Sequence, residues 1–179
     1  MFQFDRDIAV KQVEPGRWQG HISAAWNIGE NPNGGYLVSI AINALKQSLP
    51  HPDPVSITTH YLRPGASNQD CDIQIEVIRT GRTLSTARAT LSQAGKVKLE
   101  VLAVFGNLDE SVGTDHELTI PAPGIAMVDQ CIDRDGQSQG IELPIASRLD
   151  TRLDPACAVP GNSPHAVLNG WNRFHDGRA

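Results

Sequence analysis

The fold is decided by residues 31–49, which read NPNGGYLVSIAINALKQSL. The first five residues are typical of a turn, because Asn, Pro and Gly favour the backbone angles that turns require. Apolar and small side chains then recur at helical spacing: Leu37, Ile40, Ala41, Ala44, Leu45 and Ser48. Val38, Ile42 and Leu49 widen this stripe. The pattern predicts a helix over 36–49, roughly 20 Å long at about 1.5 Å per residue, that is buried on more than one side.

Strand patterns lie on both sides of this helix. Before it, residues 17–28 carry spaced apolar markers that predict a strand or a strand pair. After it, prolines at 50, 52 and 54 stop the helix, and four strands are predicted over residues 55–62, 71–79, 83–93 and 96–105. Apolar and polar residues alternate along these segments, and short turns that contain glycine separate them. This combination is typical of an antiparallel meander.

A long apolar helix followed by an antiparallel meander is an α+β pattern. Residues 1–107 contain no second amphipathic helix on which the long one could pack. The helix must therefore bury itself against the concave side of the sheet. An antiparallel sheet wrapped around one long central helix is the hotdog fold, and we expect residues 1–107 to form one such domain.

Composition excludes several functional classes. The formal net charge is −5 (15 Lys+Arg against 20 Asp+Glu), which argues against nucleic acid as a partner because phosphate binding needs a basic face. No apolar run approaches the ~20 residues of a membrane span. Acidic residues near the amino end do not fit a signal peptide, so we expect a cytoplasmic protein. The three cysteines are far apart and lack metal-ligand spacing, so neither a disulfide framework nor a metal site is predicted.

Four sequence motifs follow one another along this part of the chain. They are NPNGGYL at the helix start, HYLRPG at the end of the next strand, RTGRTLS between strands, and LSQAGK at a later turn (residues 31–37, 60–65, 79–85 and 91–96). In this order they resemble the amino-terminal half of the TesB-like double-hotdog acyl-CoA thioesterases, within the thioesterase-like superfamily. The resemblance extends from about residue 16 to residue 105. The resemblance implies thioester hydrolysis without a cofactor, with acyl-CoA as the substrate.

The carboxyl-terminal part carries a further match to the same family. Residues 170–178, GWNRFHDGR, resemble the first strand of the family's second hotdog. We therefore expect residues 108–165 to be an interdomain-type linker and residues 166–179 to be the first strand of an incomplete second hotdog. By the resemblance, the family's catalytic aspartate lies at the helix of that second unit, and it has no counterpart here.

The predicted site is the amino end of the long helix. Backbone N–H groups are unpaired there and carry a positive partial charge, and the glycines let a ligand approach closely. A thioester carbonyl at Gly34 and Gly35, beside Tyr36, would have its developing oxyanion stabilised. Because Asn33 directly precedes this helix end, we assign it to the catalytic set. The alternative is that Asn33 is only a helix cap and that the glycines only permit a turn.

Other candidates come from the strands and turns. The counterpart of Gln93 in the family's second hotdog positions the attacking water, so the resemblance adds Gln93 to the catalytic set. The hydroxyls of Thr58 and Thr59 are candidates to orient water, and His60 is a candidate base because its ordinary pKa lies near neutrality. Arg63 and Arg82 are candidates to bind CoA phosphates. Ordinary strand polarity and surface solvation are the alternatives for this set.

Three functions follow. The first is an acyl-CoA thioesterase-like protein, assembled as a homodimer or higher homo-oligomer because sites of this kind lie between two units. Asparagine cannot act as a base, so Glu30 is a substitute candidate for the carboxylate that activates water. The second is a catalytically weak acyl-CoA-binding or structural unit, that is, a truncated double hotdog. The third, a hydratase or dehydratase, needs Asp and His near the helix start, and His21 and His51 are poorly placed for it.

Overall fold

A six-stranded antiparallel sheet packs against one central helix in the computed structural model, which describes residues 1–110, 123–134, 140–159 and 166–177. In chain order the helices and strands are α1 (Gln3–Asp7), β1 (Val10–Glu14), β2 (Arg17–Ile22), β3 (Asn27–Ile28), β4 (Asn31–Pro32), α2 (Gly34–Ser48), β5 (Asp53–Tyr61), β6 (Gln69–Thr80), β7 (Ser85–Gln93), β8 (Lys96–Gly106), β9 (Ile132–Asp133), β10 (Leu149–Leu153), α3 (Pro155–Ala158) and β11 (Gly170–Phe174). The main sheet has the order β1-β2-β6-β7-β8-β5. The predicted α+β class and the placement of the helix against the sheet are confirmed.

Helix α2 contacts all six strands of the sheet. Its buried residues are Tyr36, Leu37, Ile40, Ala41, Ala44 and Leu45, which include every predicted stripe position except the half-buried Ser48. They pack against the inward-facing positions of β6, β7 and β8, where small and large apolar side chains alternate with outward-facing ones. The helix therefore supplies one side of the core and the sheet the other.

The turn between β7 and β8 shows how local sequence sets the register of the sheet. Ala94 and Gly95 have φ angles of 48° and 72°, and Gln93 pairs with Lys96 across them. Two consecutive residues with positive φ are what a tight hairpin turn requires, and glycine adopts that conformation without strain. The turn pairs Ser92 with Val97, and a register shift at the next step of the ladder then aligns Leu91 with Leu99 on the buried face.

Two elements near the amino end were not predicted. Helix α1 is one short turn, and β1 pairs with β2 to extend the sheet at its edge. Strand β1 exposes four of its five residues, so its sequence carries little of the alternation that marks a strand. Strand β7 begins at Ser85 rather than at 83, because Gly81–Leu84 form a loop closed by a hydrogen bond from Gly81 N to Leu84 O (2.8 Å).

The carboxyl-terminal residues add a small antiparallel sheet of order β11-β10-β9. Strand β10 and part of its surroundings lie within the segment predicted as a linker, and β10 pairs along its whole length with β11. Phe174 of β11 packs against Phe4 and Trp26 with ring centroids 5.0 and 6.2 Å apart. An aromatic cluster thus ties this sheet to the start of the chain.

Candidate functional site

Asn33 caps the amino end of α2, as the alternative interpretation of its position has it. The Asn33 side-chain oxygen accepts a hydrogen bond from Tyr36 N (3.2 Å), and Asn33 N donates to Trp26 O (3.0 Å). Gly34 and Gly35 are the first two helical residues, so their N–H groups have no partner within the helix. Gly35 is exposed and Gly34 half-buried. Positive partial charge is therefore accessible here, while the Asn33 amide is engaged in capping.

Tyr61 lies directly over this helix end, and its involvement was not predicted. A Cβ atom placed on Gly34 would lie 2.9 Å from Tyr61 Cε1 and 3.1 Å from its hydroxyl oxygen. The Tyr61 side chain is 57% exposed, and its hydroxyl makes no hydrogen bond to a described residue. The only sequence signal was its place in the HYLRPG motif. A side chain at position 34 would have to displace this exposed ring, and a phenol O–H that no described residue binds stands beside the helix N–H groups.

The two faces of β5 divide the strand candidates. Thr59 and Tyr61 pair with Val101 and Leu99, which are buried, so both side chains lie on the face toward the helix.

Thr58 and His60 belong to the opposite face of the same strand. They pair with exposed Leu102 and half-buried Glu100. Successive side chains of a strand point to opposite faces, so the structure brings Thr59 to the helix side but directs Thr58 and His60 away from it.

Gln93 is buried, and both polar atoms of its side-chain amide form hydrogen bonds with the backbone of a loop. Its Oε1 accepts from Ala66 N (2.8 Å), and its Nε2 donates to Ala66 O (2.8 Å) and Asp70 O (3.4 Å). The neighbouring residue Gly65 lies against Leu37 of α2. In this chain the side chain of Gln93 therefore holds the loop that packs on the helix start, and both polar atoms of its amide have backbone partners.

The two arginine candidates lie at opposite ends of the domain. Arg63 follows β5 on the side of Gly34 and donates from Nη1 to Val97 O (3.0 Å). Arg82 lies in the β6–β7 loop, where its carbonyl meets His51 Nε2 (3.3 Å) just beyond the carboxyl end of α2. The helix between them has 15 residues and is therefore about 22 Å long. One chain does not bring Arg63 and Arg82 to one ligand head group.

One carboxylate candidate, Glu30, precedes Gly34 in the sequence. Glu30 is exposed in the turn between β3 and β4, and its carbonyl accepts from Asn27 Nδ2 (3.2 Å). Within the described ranges, no group of three or more His, Cys, Asp or Glu side chains could hold a metal ion. Among the helices of the described residues, none is long and apolar enough to cross a membrane.

Tyr36 is buried (2% exposed) and contributes to the support of the site rather than to its surface. Its hydroxyl donates to Asp7 O (2.8 Å) and accepts from Ser23 N (3.0 Å), and its ring stacks on Trp26 at 5.5 Å. Burial raises the pKa of Tyr36 to about 12. The phenol is therefore neutral at physiological pH and locks the helix start to the amino-terminal segment.

This burial predicts a loss of stability at high pH. The pKa of Tyr36 in the folded protein lies above its ordinary value of 10.0. Its contribution to the free energy of unfolding is therefore complete below pH 10 and falls as the pH rises toward 12. Urea unfolding between pH 8 and 11.5 should show this decline. Burial also raises the pKa of Cys71 to about 12, from 9.0, so the reference protein for the experiment is Cys71→Ala. In this background, Tyr36→Phe should make the free energy of unfolding nearly independent of pH above pH 10. An unchanged dependence on pH would contradict the assignment of the decline to Tyr36.

Comparison with known proteins supports the fold and the sequence motifs. Residues 22–106 match the family model described as "Acyl-CoA thioesterase N-terminal domain". Thioesterase-like protein TwmA of Talaromyces wortmannii is 29% identical over 94 residues, which are 51% of this chain and 27% of that protein. The chain thus spans about a quarter of the length of this curated relative.

Solved structures resemble a larger part of the chain. A protein of Thermobifida fusca YX, assigned as a thioesterase II, is 27% identical with a TM-score of 0.76, covering 87% of this chain and 55% of its own. The acyl-CoA thioesterase II TesB2 of Mycobacterium marinum is 18% identical with a TM-score of 0.70, covering 97% and 60%. This chain thus spans little more than half of each, and the second likeness shows the fold alone. Residues 22–106 are thus similar to the acyl-CoA thioesterase N-terminal domain, and the chain has the hotdog fold seen in the TesB-like thioesterases.

Proposed function

We propose that the chain is an acyl-CoA thioesterase-like hotdog protein, which hydrolyses an acyl-CoA thioester to a carboxylic acid and CoA. The observation that carries the proposal is the accessible amino end of α2, where Gly34 and Gly35 present unpaired N–H groups within a domain of thioesterase sequence. Hydrogen-bond donors held in place before reaction stabilise the oxyanion that forms when a thioester carbonyl is attacked.

In the proposed reaction, water attacks the thioester carbonyl carbon. The negative charge develops on the carbonyl oxygen, which accepts hydrogen bonds from Gly34 and Gly35 N–H. The carbon–sulfur bond then breaks, the water proton passes to a base, and the CoA thiolate leaves and is protonated. Glu30 is the proposed base, because asparagine at position 33 has no basic group and its oxygen already caps the helix.

A second copy of the chain is proposed to complete the site. Strand β5 is the edge of the sheet, it is nine residues long, and it leaves Ile57 43% and Tyr61 57% exposed. A long apolar edge strand offers unpaired N–H and C=O groups to another strand. Pairing of two β5 edges across a two-fold axis would cover these side chains beside Gly34.

This assembly is tested by placing a charge on the β5 edge. Ile57→Lys should shift the protein from dimer or higher oligomer to monomer in light scattering at micromolar concentration, because a buried lysine at a strand edge is unfavourable. Lys11→Glu on β1, the opposite edge of the sheet, is the matched control. A mass unchanged by Ile57→Lys, or equally changed by the control, would refute the β5 interface.

The alternative is a catalytically weak unit that binds acyl-CoA or serves a structural role. It is favoured by the engagement of Asn33 in capping and of Gln93 in holding a loop. Incubation with acyl-CoAs of increasing chain length, followed by detection of free thiol, separates the two functions. Turnover above the rate without protein supports the thioesterase, whereas binding of CoA esters without thiol release supports the alternative.

A further inference from the structure

A groove of about 690 Å³ lies beyond the carboxyl end of α2, at the opposite end of the domain from Gly34. It is formed by residues 50–52 after the helix, the β6–β7 loop, and the residues that follow β8. Its volume falls in the range of pockets that bind small molecules. The function proposed above makes no use of this groove.

The walls of the groove are held together by His51. The Arg82 carbonyl can only accept, so His51 Nε2 carries the hydrogen and donates to it (3.3 Å). His51 Nδ1 then accepts from the hydroxyl of Ser85 (2.7 Å), which is fully buried. A hydrogen bond from Leu108 N to the Asp53 carboxylate (3.0 Å) fixes the third wall. The groove is therefore preformed.

The floor of the groove is aliphatic. Val55, Leu84 and Leu108 are 53%, 42% and 64% exposed, and all three line the same concavity. Gly106 lies beneath two of them, since a Cβ there would be 3.1 Å from both Leu84 Cδ2 and Val55 Cγ2. Single exposed apolar residues are ordinary, but three converging in one groove mark a binding surface. The lining includes no Phe, Tyr or Trp ring, which fits a flexible aliphatic chain better than a planar ligand.

A charged side chain at the edge of the groove, that of Arg82, indicates which polar head group a ligand would carry. The Arg82 side chain is exposed and makes no hydrogen bond or ion pair with the described part of the chain. A guanidinium binds a carboxylate through two parallel hydrogen bonds. Glu110 also lines the groove, so a carboxylate head group must sit on the Arg82 side of the rim.

We infer that this groove binds an aliphatic monocarboxylate, with its chain on Val55, Leu84 and Leu108 and its carboxylate on Arg82. The site is separate from the amino end of α2 and does not require that the chain hydrolyse thioesters. A carboxylate of this kind is also what thioester hydrolysis releases, so the two sites would recognise related molecules.

The test is calorimetric titration of the whole chain with sodium decanoate below its micelle-forming concentration. Saturable binding is expected, with the dissociation constant falling about twofold to fourfold for each methylene from hexanoate to decanoate. Arg82→Gln should weaken decanoate binding at least fivefold, and Leu84→Asp should abolish it. Glu110→Gln should strengthen binding, because it removes a like charge.

Controls separate this site from a general apolar surface. Arg88→Gln removes an exposed arginine on β7 that pairs with Glu76, and it should leave the affinity unchanged. Decyltrimethylammonium has a similar chain with a cationic head, and it should not bind. Equal affinity for both amphiphiles, or full affinity in Arg82→Gln, would overturn the inference. A Leu84→Asp variant that changes only the oligomeric mass would instead assign the groove to a second copy and would also overturn it. Hydrolysis of acyl-CoA is measured separately, so either proposal can fail alone.

Discussion

Replacing Gly34 by valine is expected to abolish acyl-CoA turnover, with a loss of about 100-fold to 1000-fold in kcat/KM. The new side chain would occupy the space in front of the helix N–H groups, where its Cβ would lie 2.9 Å from Tyr61 Cε1. It would both block the carbonyl of a substrate and displace the tyrosine ring. The measurement is thiol release, together with the affinity for a CoA ester.

Companion variants show whether the loss is local. Gly124→Val is the matched control, because a Cβ there has nothing within 4 Å. Gly34→Ala should retain part of the activity, and adding Tyr61→Ala should recover more of it if the clash with the ring is responsible. The thermal midpoint of Gly34→Val should change little, since Tyr61 is exposed and can move. Wild-type turnover and affinity in Gly34→Val would remove the helix end from the mechanism.

Much of the fold could be predicted because its strongest signals are local. The apolar stripe of α2 and the Ala94-Gly95 turn each follow from a few neighbouring residues, and both are confirmed. Strand β1 was missed because an edge strand with one face in solvent needs little apolar patterning. Helix α1 was missed because five residues, none of them buried, carry no periodic signal.

The site was less predictable because it depends on tertiary contacts. Sequence order placed Thr58, Thr59 and His60 together, but the pleat of β5 sends neighbouring side chains to opposite faces. Arg63 and Arg82 both follow strands in suitable motifs, yet they lie at opposite ends of α2. Which end of the sheet a turn occupies depends on the pairing order of strands, and motif spacing does not contain that information.

Replacing Gln93 by leucine is expected to lower the free energy of unfolding by about 2–3 kcal/mol, since three hydrogen bonds of about 1 kcal/mol each are lost. Leucine keeps the apolar volume but leaves Ala66 N–H and C=O without their partner. The loop that contacts Leu37 should loosen, so the Ala66 amide should lose protection from hydrogen exchange. Urea unfolding and hydrogen exchange measure both effects.

Two further variants decide whether Gln93 acts on water or on the loop. Gln74→Leu on β6 changes an exposed glutamine in the same way and should cost less than about 0.5 kcal/mol. Gln93→Glu can still accept from Ala66 N–H, but its carboxylate would face the carbonyls of Ala66 and Asp70 and be buried, so it should destabilise more than leucine does. A water-positioning role predicts a lower kcat with unchanged unfolding energy in Gln93→Leu. The hydrogen bonds of this structure predict instead that Gln93→Leu lowers the free energy of unfolding, because both polar atoms of the amide bind the loop.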